Sequence, residues 1–539
     1  MRYTFLVISL LSIQLHAQPK LVVGIVVDQM KQEYLIRFAD KYGNDGFKRM
    51  IDQGFQVKNM HYNYIPTYTA PGHASIYTGT TPSFHGIISN DWYSRAKKGN
   101  MYCVEDASVD PLGTDSKAGR MSPQNLYANT ITDELKLTTN FRSKVVGVSI
   151  KDRGAVLPAG HKPEAALWYD ATSGNFISST WYYDKLPDWV DNFNNKRIAD
   201  TYSNQTWNTF LPIEKYVEST ADDSPYEGGF KGKDSPTFPY NLKKLRKENG
   251  EFGLIRYTPF GNQLVLDIAK EALISVSMGK DDITDFLAVS LSSTDYIGHN
   301  FGPNSVELED TYIRLDRQLA DFLKFLDEKL GKEAYMVFLT ADHGVVANPR
   351  FLNDNNMPGG YINSKEHLST FKDAVKEKFN TTDMIENVSN DQIFIDYDVL
   401  KSLKLDRALT ERELLNIMIQ SDPIIEGLTG SDLSRFDYHT PLRAALQNGF
   451  NKERSGDVLY LKKPGYLYQD YGTTGTSHGT GYTYDTHVPL LFLGNGIKQG
   501  STVRKYNITD IAPTLSFLMN ISIPNASVAG APIMELFED

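Results

Sequence analysis

The chain of 539 residues has a single cysteine, Cys103. No intramolecular disulfide can form, and metal sites built from several thiolates are excluded. Any metal must be held by His, Asp, Glu or hydroxyl oxygens. Basic residues are in deficit, with 55 Lys and Arg against 66 Asp and Glu, a net charge of -11. That balance argues against nucleic acid or an anionic membrane surface as a partner. It does not exclude a small anion, because a local cluster of cations overrides the global sign. Internal repeats and low-complexity tracts are also missing, and a hydrophobic content of 41% suffices for a compact fold. Nor is there an uninterrupted apolar run of the roughly 18 residues that a membrane helix needs. The opening residues, MRYTFLVISLLSIQLHAQPK, pattern as a secretory signal. Arg2 supplies the positive end, Phe5 to Leu11 the apolar stretch, and Leu15-His16-Ala17 the cleavage site. The expectation is a signal peptide over 1–17 and a soluble, periplasmic or secreted chain from 18 onward, acting as a monomer.

What is present is a set of five short apolar runs that do not alternate: Leu21 to Val27, Val145 to Ile150, Phe286 to Leu291, Tyr335 to Leu339 and Val488 to Leu493. Such runs suit parallel strands covered on both faces. Between them, Val306 to Leu330 carries Leu308, Tyr312, Leu315, Leu319, Phe322 and Leu326 on one helical face, with Gly331 placed to end it. The fold class is α/β, a largely parallel central sheet flanked by helices. Residues 18–539 are expected to form one catalytic domain. Stretches at about 155–260 and 350–475 lack regular strand and helix alternation and are expected to be inserted caps.

In parallel sheets the ligand site lies beyond the carboxyl ends of the strands. Asp28 follows the first run, Asp295 and His299 follow the third, and Asp342-His343-Gly344 follows the fourth, while His478 precedes the last. One such Asp is an ordinary helix cap, but several together with His are not. Asp295 and His299, four apart, share a helical face. Asp342 and His343 can converge only if the chain turns sharply, which Gly344 permits. Carboxylate and imidazole suit zinc, and admit magnesium or manganese less exclusively. Six candidate ligands are too many for one tetrahedral ion and fit two. A metal pair needs a nucleophile, and Thr69-Ala70-Pro71-Gly72 reads as a helix start with Pro71 in its first turn. A plain cap would have the same sequence, but beside a metal pair Thr69 becomes the hydroxyl presented from an exposed turn. His73 is expected to pack under this helix start. His61, His85, His161, His367 and His439 lack partner spacing, and His487 precedes a buried strand too far from Gly479 to be taken as a ligand.

Asp28, Thr69-Ala-Pro-Gly-His73, Asp295-x3-His299, Asp342-His343-Gly344 and His478-Gly479 occur in the order of the metal motif of the alkaline phosphatase superfamily, which the chain resembles from Asp28 onward, insertions aside. Thr509 to Thr514 resembles a late helix of that superfamily. Arylsulfatases carry C/S-x-P-x-R where this chain has Thr69 to His73, without the arginine. The nucleotide pyrophosphatase/phosphodiesterase branch also uses a threonine and is the rival. Ser89-Asn90-Asp91-Trp92 and Ile150-Lys151-Asp152-Arg153-Gly154 resemble the phosphate-irrepressible bacterial alkaline phosphatases of PafA type. That resemblance implies an alkaline-phosphatase-like sandwich and a phosphomonoesterase acting on small phosphate monoesters. It further implies two Zn2+ ions, one on Asp295, His299 and His478, the other on Asp28, Asp342, His343 and Thr69. Thr69 would form a phosphothreonine, and Asn90, Lys151 and Arg153 would hold the phosphoryl oxygens. Residue geometry agrees, since positions two apart on an extended chain point the same way; a solvated charge run is the alternative. A third possibility is an inactive binding protein that kept the fold.

Overall fold

The computed structural model describes residues 18–537, so the expected signal peptide, 1–17, lies outside the described residues. Among these, one sheet of eleven strands dominates: β1 (Leu21–Val27), β2 (Phe55–His61), β3 (Pro111–Leu112), β4 (Val145–Ser149), β5 (Ala165–Asp170), β6 (Asn175–Ser179), β7 (Asp285–Leu291), β8 (Tyr335–Thr340), β9 (His487–Gly494), β10 (Gly500–Thr502) and β11 (Tyr506–Asn507). The order is β10-β2-β9-β8-β1-β7-β4-β5-β6-β3, with β11 also against β2. Strands β8, β1, β7, β4 and β5 form a continuous parallel core. In β1, β4, β7 and β8 every residue is buried, which is why each reads as an unbroken apolar run.

Strand β9, expected to be parallel, is instead antiparallel to both β8 and β2. The reversal has a consequence for the site. A strand running the other way begins where its parallel neighbours end, so the loop before β9, which carries His478, arrives at their carboxyl ends.

Five helices position the residues at these strand ends or brace the sheet beneath them: α1 (Thr69–Thr78), α2 (Asp152–Ala159), α3 (Pro259–Ser275), α4 (Ser293–Phe301) and α5 (Val306–Leu330). Helix α5 buries the six residues its spacing predicts. Ser305 accepts from the Leu308 N–H at its start and Gly331, at φ 88°, ends it. Tyr77 of α1 meets the rings of Phe286 and Phe338, tying that helix to β7 and β8.

The two stretches expected to be irregular caps are more ordered than that. The first contributes β5 and β6 to the central sheet. The second has its own four-stranded sheet, Ile385–Ser389, Gln392–Ile395, Val458–Lys462 and Ile424–Thr429, and a separate core around Phe371, Ile393, Leu414 and Val458. One of its strands, Ile385–Ser389, escapes a search for apolar runs because it is half-buried throughout.

Candidate active site

The residues singled out at the strand ends converge on one edge of the sheet. Asp28 is the residue after β1, and Asp342 and His343 lie just past β8. All three are fully buried. His343 donates through Nδ1 to the Gly344 carbonyl at 3.0 Å, which aims Nε2 at Asp28 Oδ1 (3.5 Å) and Asp342 Oδ2 (3.8 Å). Gly344 permits this turn by close approach, since a Cβ there would meet the Tyr484 carbonyl at 2.3 Å. Burial, and then the neighbouring Asp28, push Asp342 well above the usual carboxylate range. Burial holds His343 neutral, down to about 4.

A second cluster adjoins the first. Asp295 sits in the first turn of α4 and His299 one turn later, with Nε2 at 3.1 Å from Asp295 Oδ1. His478 Nε2 lies 3.7 Å from the same oxygen. Backbone carbonyls fix both rings: Nδ1 of His299 donates to Thr476 (2.8 Å) and Nδ1 of His478 to Thr67 (2.8 Å). Burial opposes the charge on His299 but Asp295 outweighs it, raising His299. Burial, with His343 and His299 beside it, lowers His478. The rings of His343 and His478 stack at 3.5 Å, so the clusters touch.

The donor set suits divalent cations. Ligand atoms of Asp295, His299 and His478 lie within 4.8 Å of one another, and so do those of Asp28, Asp295 and His343. The second grouping draws on Asp295 where Asp342 was expected; Asp342 adjoins it through His343. Asp342 Oδ2 and His343 Nε2 are buried with no hydrogen-bond partner, and Asp28 has the Lys151 ammonium beside Oδ2 but nothing donating to Oδ1 among the described residues. Buried, unpaired acceptors packed together are costly unless a cation joins them.

Thr69 is the first residue of α1, linked to both clusters through Lys151. The expectation of an exposed turn is wrong: Thr69 is 1% exposed, because Gly72 lets α1 press against the turn at Asp342. A Cβ on Gly72 would meet the Asp342 carbonyl at 2.3 Å. Its neighbours are committed elsewhere, Thr67 Oγ1 donating to the Thr480 carbonyl and Thr78 Oγ1 to that of Ala74. Thr69 Oγ1 accepts from Lys151 Nζ at 3.3 Å. His73 donates to the Thr69 carbonyl through Nδ1 (2.9 Å) and lies 3.4 Å from Asp342 Oδ2, so it does pack under the helix start.

Lys151 Nζ spans the site, 2.7 Å from Asp28 Oδ2 and 2.6 Å from Asp295 Oδ2. Burial works against its charge, but Asp28 and Asp295 prevail and raise its pKa. Lys151 and Arg153 do not share the extended chain expected of them. Lys151 is the N-cap of α2 and Arg153 is already helical, so the two converge across a helix start. Tyr102 OH accepts from Arg153 Nη1 (2.9 Å) and donates to Asp152 Oδ1 (2.5 Å), linking the two side chains. Asn90 spends its amide oxygen on the Ala70 N–H (2.9 Å), capping α1 and keeping its NH2 group as a donor.

Sequence reasoning missed three residues. Gln29, at φ 67°, donates its backbone N–H to Asp342 Oδ1 (3.1 Å) and its side-chain Nε2 to Asp295 Oδ1 (2.8 Å), bracing both clusters. Asp485 accepts from the N–H groups of Gly479 and Thr480 and fixes the loop of His478. Tyr102 is the third. Of these, only Gln29 carried a signal, its place next to a strand-end Asp.

Residues 22–487 match the family model described as type I phosphodiesterase / nucleotide pyrophosphatase. The chain is 47% identical over 523 residues to alkaline phosphatase PafA of Elizabethkingia meningoseptica, covering 96% of this chain and 94% of the relative. It is 45% identical over 523 residues to a Myroides odoratus protein named calcium-transporting ATPase, covering 97% and 95%. A crystal structure of wild-type alkaline phosphatase PafA superposes with a TM-score of 0.92 at 46% identity, over 97% of this chain and 99% of that one. The chain belongs to the type I phosphodiesterase / nucleotide pyrophosphatase family of the alkaline phosphatase superfamily, in its PafA-like group.

Proposed function

We propose that the chain is an exported phosphomonoesterase that hydrolyses phosphate monoesters through a phosphothreonine formed on Thr69. One feature carries the reading: Lys151 reaches the Thr69 hydroxyl and, through Asp28 and Asp295, both candidate metal clusters. Asp295, His299 and His478 would hold one zinc ion and Asp28, Asp342, His343 and Thr69 the other, supplying Lewis acidity at the hydroxyl and at the departing alkoxide. The remaining work belongs to the chain. Helix α1 offers Thr69, itself buried, at its positive end. Lys151 acts on Thr69 as a hydrogen-bond donor. Thr69 Oγ1 attacks phosphorus as the ester oxygen leaves, the hydroxyl proton ending on the departing alcohol, and water then cleaves the phosphothreonine to inorganic phosphate and the free Thr69 hydroxyl. Lys151, Arg153 and the Asn90 amide hold the phosphoryl oxygens meanwhile, Arg153 through a two-pronged contact and Lys151 as a point charge.

The family also contains phosphodiesterases, and charge separates the two readings. A monoester dianion spreads its charge over three terminal oxygens and profits from extra cations, whereas a diester has two and a second substituent to accommodate. Hydrolysis of one aryl phosphate monoester should far exceed that of its methyl diester under the same conditions. Faster hydrolysis of the diester would overturn the assignment.

A further inference from the structure

A cavity of about 400 Å³ opens over the outer cluster, a volume within the range of small-molecule sites. His299, His478 and Asn90 line its inner side. The second insertion builds the opposite wall, from Leu368, Asp391, Tyr460, Lys462, Tyr466 and Tyr468. We infer that this wall is a leaving-group subsite selecting phosphate monoesters of uncharged, ring-bearing alcohols over those of small aliphatic or anionic ones. The inference rests on the phosphomonoesterase reading, because the organic group of a monoester whose phosphate sits at Thr69 and the two clusters must project away from them, and this cavity is where the outer cluster opens.

Two features of the wall define the class. The first is its rings. Tyr466 and Tyr468, both partly exposed, face the cavity, with Leu368 and Val388 beside them and the buried Tyr460 and Met418 behind, a surface suited to an aromatic partner. The wall is braced: Tyr468 OH donates to Asp391 Oδ1 (2.6 Å), Lys462 Nζ to Asp391 Oδ2 (2.5 Å), and that ammonium lies 4.5 Å from the Tyr468 ring centre. Tyr466 is seated on Gly360, where a Cβ would come within 2.5 Å of its ring. The second feature is charge. Lys462 is the one lysine or arginine along this lining, and Asp391 neutralises it. Asp91 and Asp470 line the same cavity, exposed and without an ion pair among the described residues. A leaving group carrying its own carboxylate or phosphate would meet like charge there.

The test compares benzyl phosphate with ethyl phosphate, whose leaving alcohols differ little in basicity, so that the chemical step alone predicts similar rates. We expect kcat/KM for the benzyl ester to be at least about tenfold higher, the scale that a few apolar carbons command in a fitting pocket. In Tyr466→Ala and Tyr468→Ala, each shown to be folded by its thermal melt, that ratio should fall towards one. 4-Carboxybenzyl phosphate should be a poorer substrate than benzyl phosphate. Turnover of both neutral esters at equal efficiency in the unaltered enzyme overturns the subsite alone, as does a ratio that survives in both variants or a carboxylate that improves the ester. Turnover of neither ester overturns the phosphatase reading itself, and the subsite with it.

Discussion

The two halves of the site solve opposite problems. The inner cluster, Asp28, Asp342 and His343, is entirely closed to solvent, and its carboxylates repel each other, with Asp342 Oδ2 and His343 Nε2 lacking a hydrogen-bond partner. In the outer cluster the His299 side chain is 36% exposed, and both its histidines are anchored by backbone carbonyls. Enclosure suits the preparation of a nucleophile, because electrostatic contacts gain strength where water is absent. Openness suits the departure of an alcohol. Asp295 and Lys151 belong to both halves and keep them in register.

The sharpest way to break this division is to remove the hydroxyl beside the inner cluster. Thr69→Ala should lower kcat by roughly 10⁴-fold or more, while Thr69→Ser keeps a substantial fraction. Far-UV circular dichroism should be unchanged, since Thr69 Oγ1 makes one hydrogen bond and Lys151 retains two carboxylate partners. Near-native turnover in Thr69→Ala would move the nucleophile elsewhere.

The next test sets the clusters against each other. Removing Lys151 and Arg153 together deprives the phosphoryl group of its cations, and should depress monoester hydrolysis by roughly 30- to 1000-fold per charged contact. Diester hydrolysis should fall little. An equal drop in both would make these cations structural and favour a phosphodiesterase.

Slow chelation should then separate the halves in time. Metal analysis is expected to find two ions per chain, the outer released first because His299 is open to solvent, and activity lost with that first ion. Full activity in a preparation holding one ion per chain would refute the two-ion assignment.

The smallest effect should come from Tyr102→Phe, which frees Arg153 from the Tyr102 hydroxyl. Monoester kcat/KM should fall by about 5- to 30-fold with metal content unchanged. A loss of metal would show that Tyr102 supports the clusters and not the arginine.

How far the fold and site were legible depends on range along the chain. Strands buried on both faces produce unbroken apolar runs, so β1, β7 and β8 could be read, and with them the residues at their ends, Asp28, Asp295 and Asp342. An apolar run carries no direction, so the reversal of β9 could not be read. Strand β5 was hidden because its AALWYD sequence lies in a stretch rich in aromatic and polar residues. The pairing of Lys151 with Arg153 was inferred from an extended chain, but α2 begins between them. Gln29 braces Asp295 across 266 positions, a contact that no local pattern announces. The wall of the cavity is equally long-range: Tyr468 becomes a neighbour of the site only once the second insertion has folded.

The most direct test of the central claim is to catch the covalent intermediate. Enzyme mixed with a phosphate monoester, quenched in acid within one turnover and digested, should yield a peptide spanning residues 67–79 that carries one phosphate on Thr69. Single-turnover hydrolysis that leaves no phosphate on this peptide, or a phosphate found on Thr67 or Thr78, would contradict it.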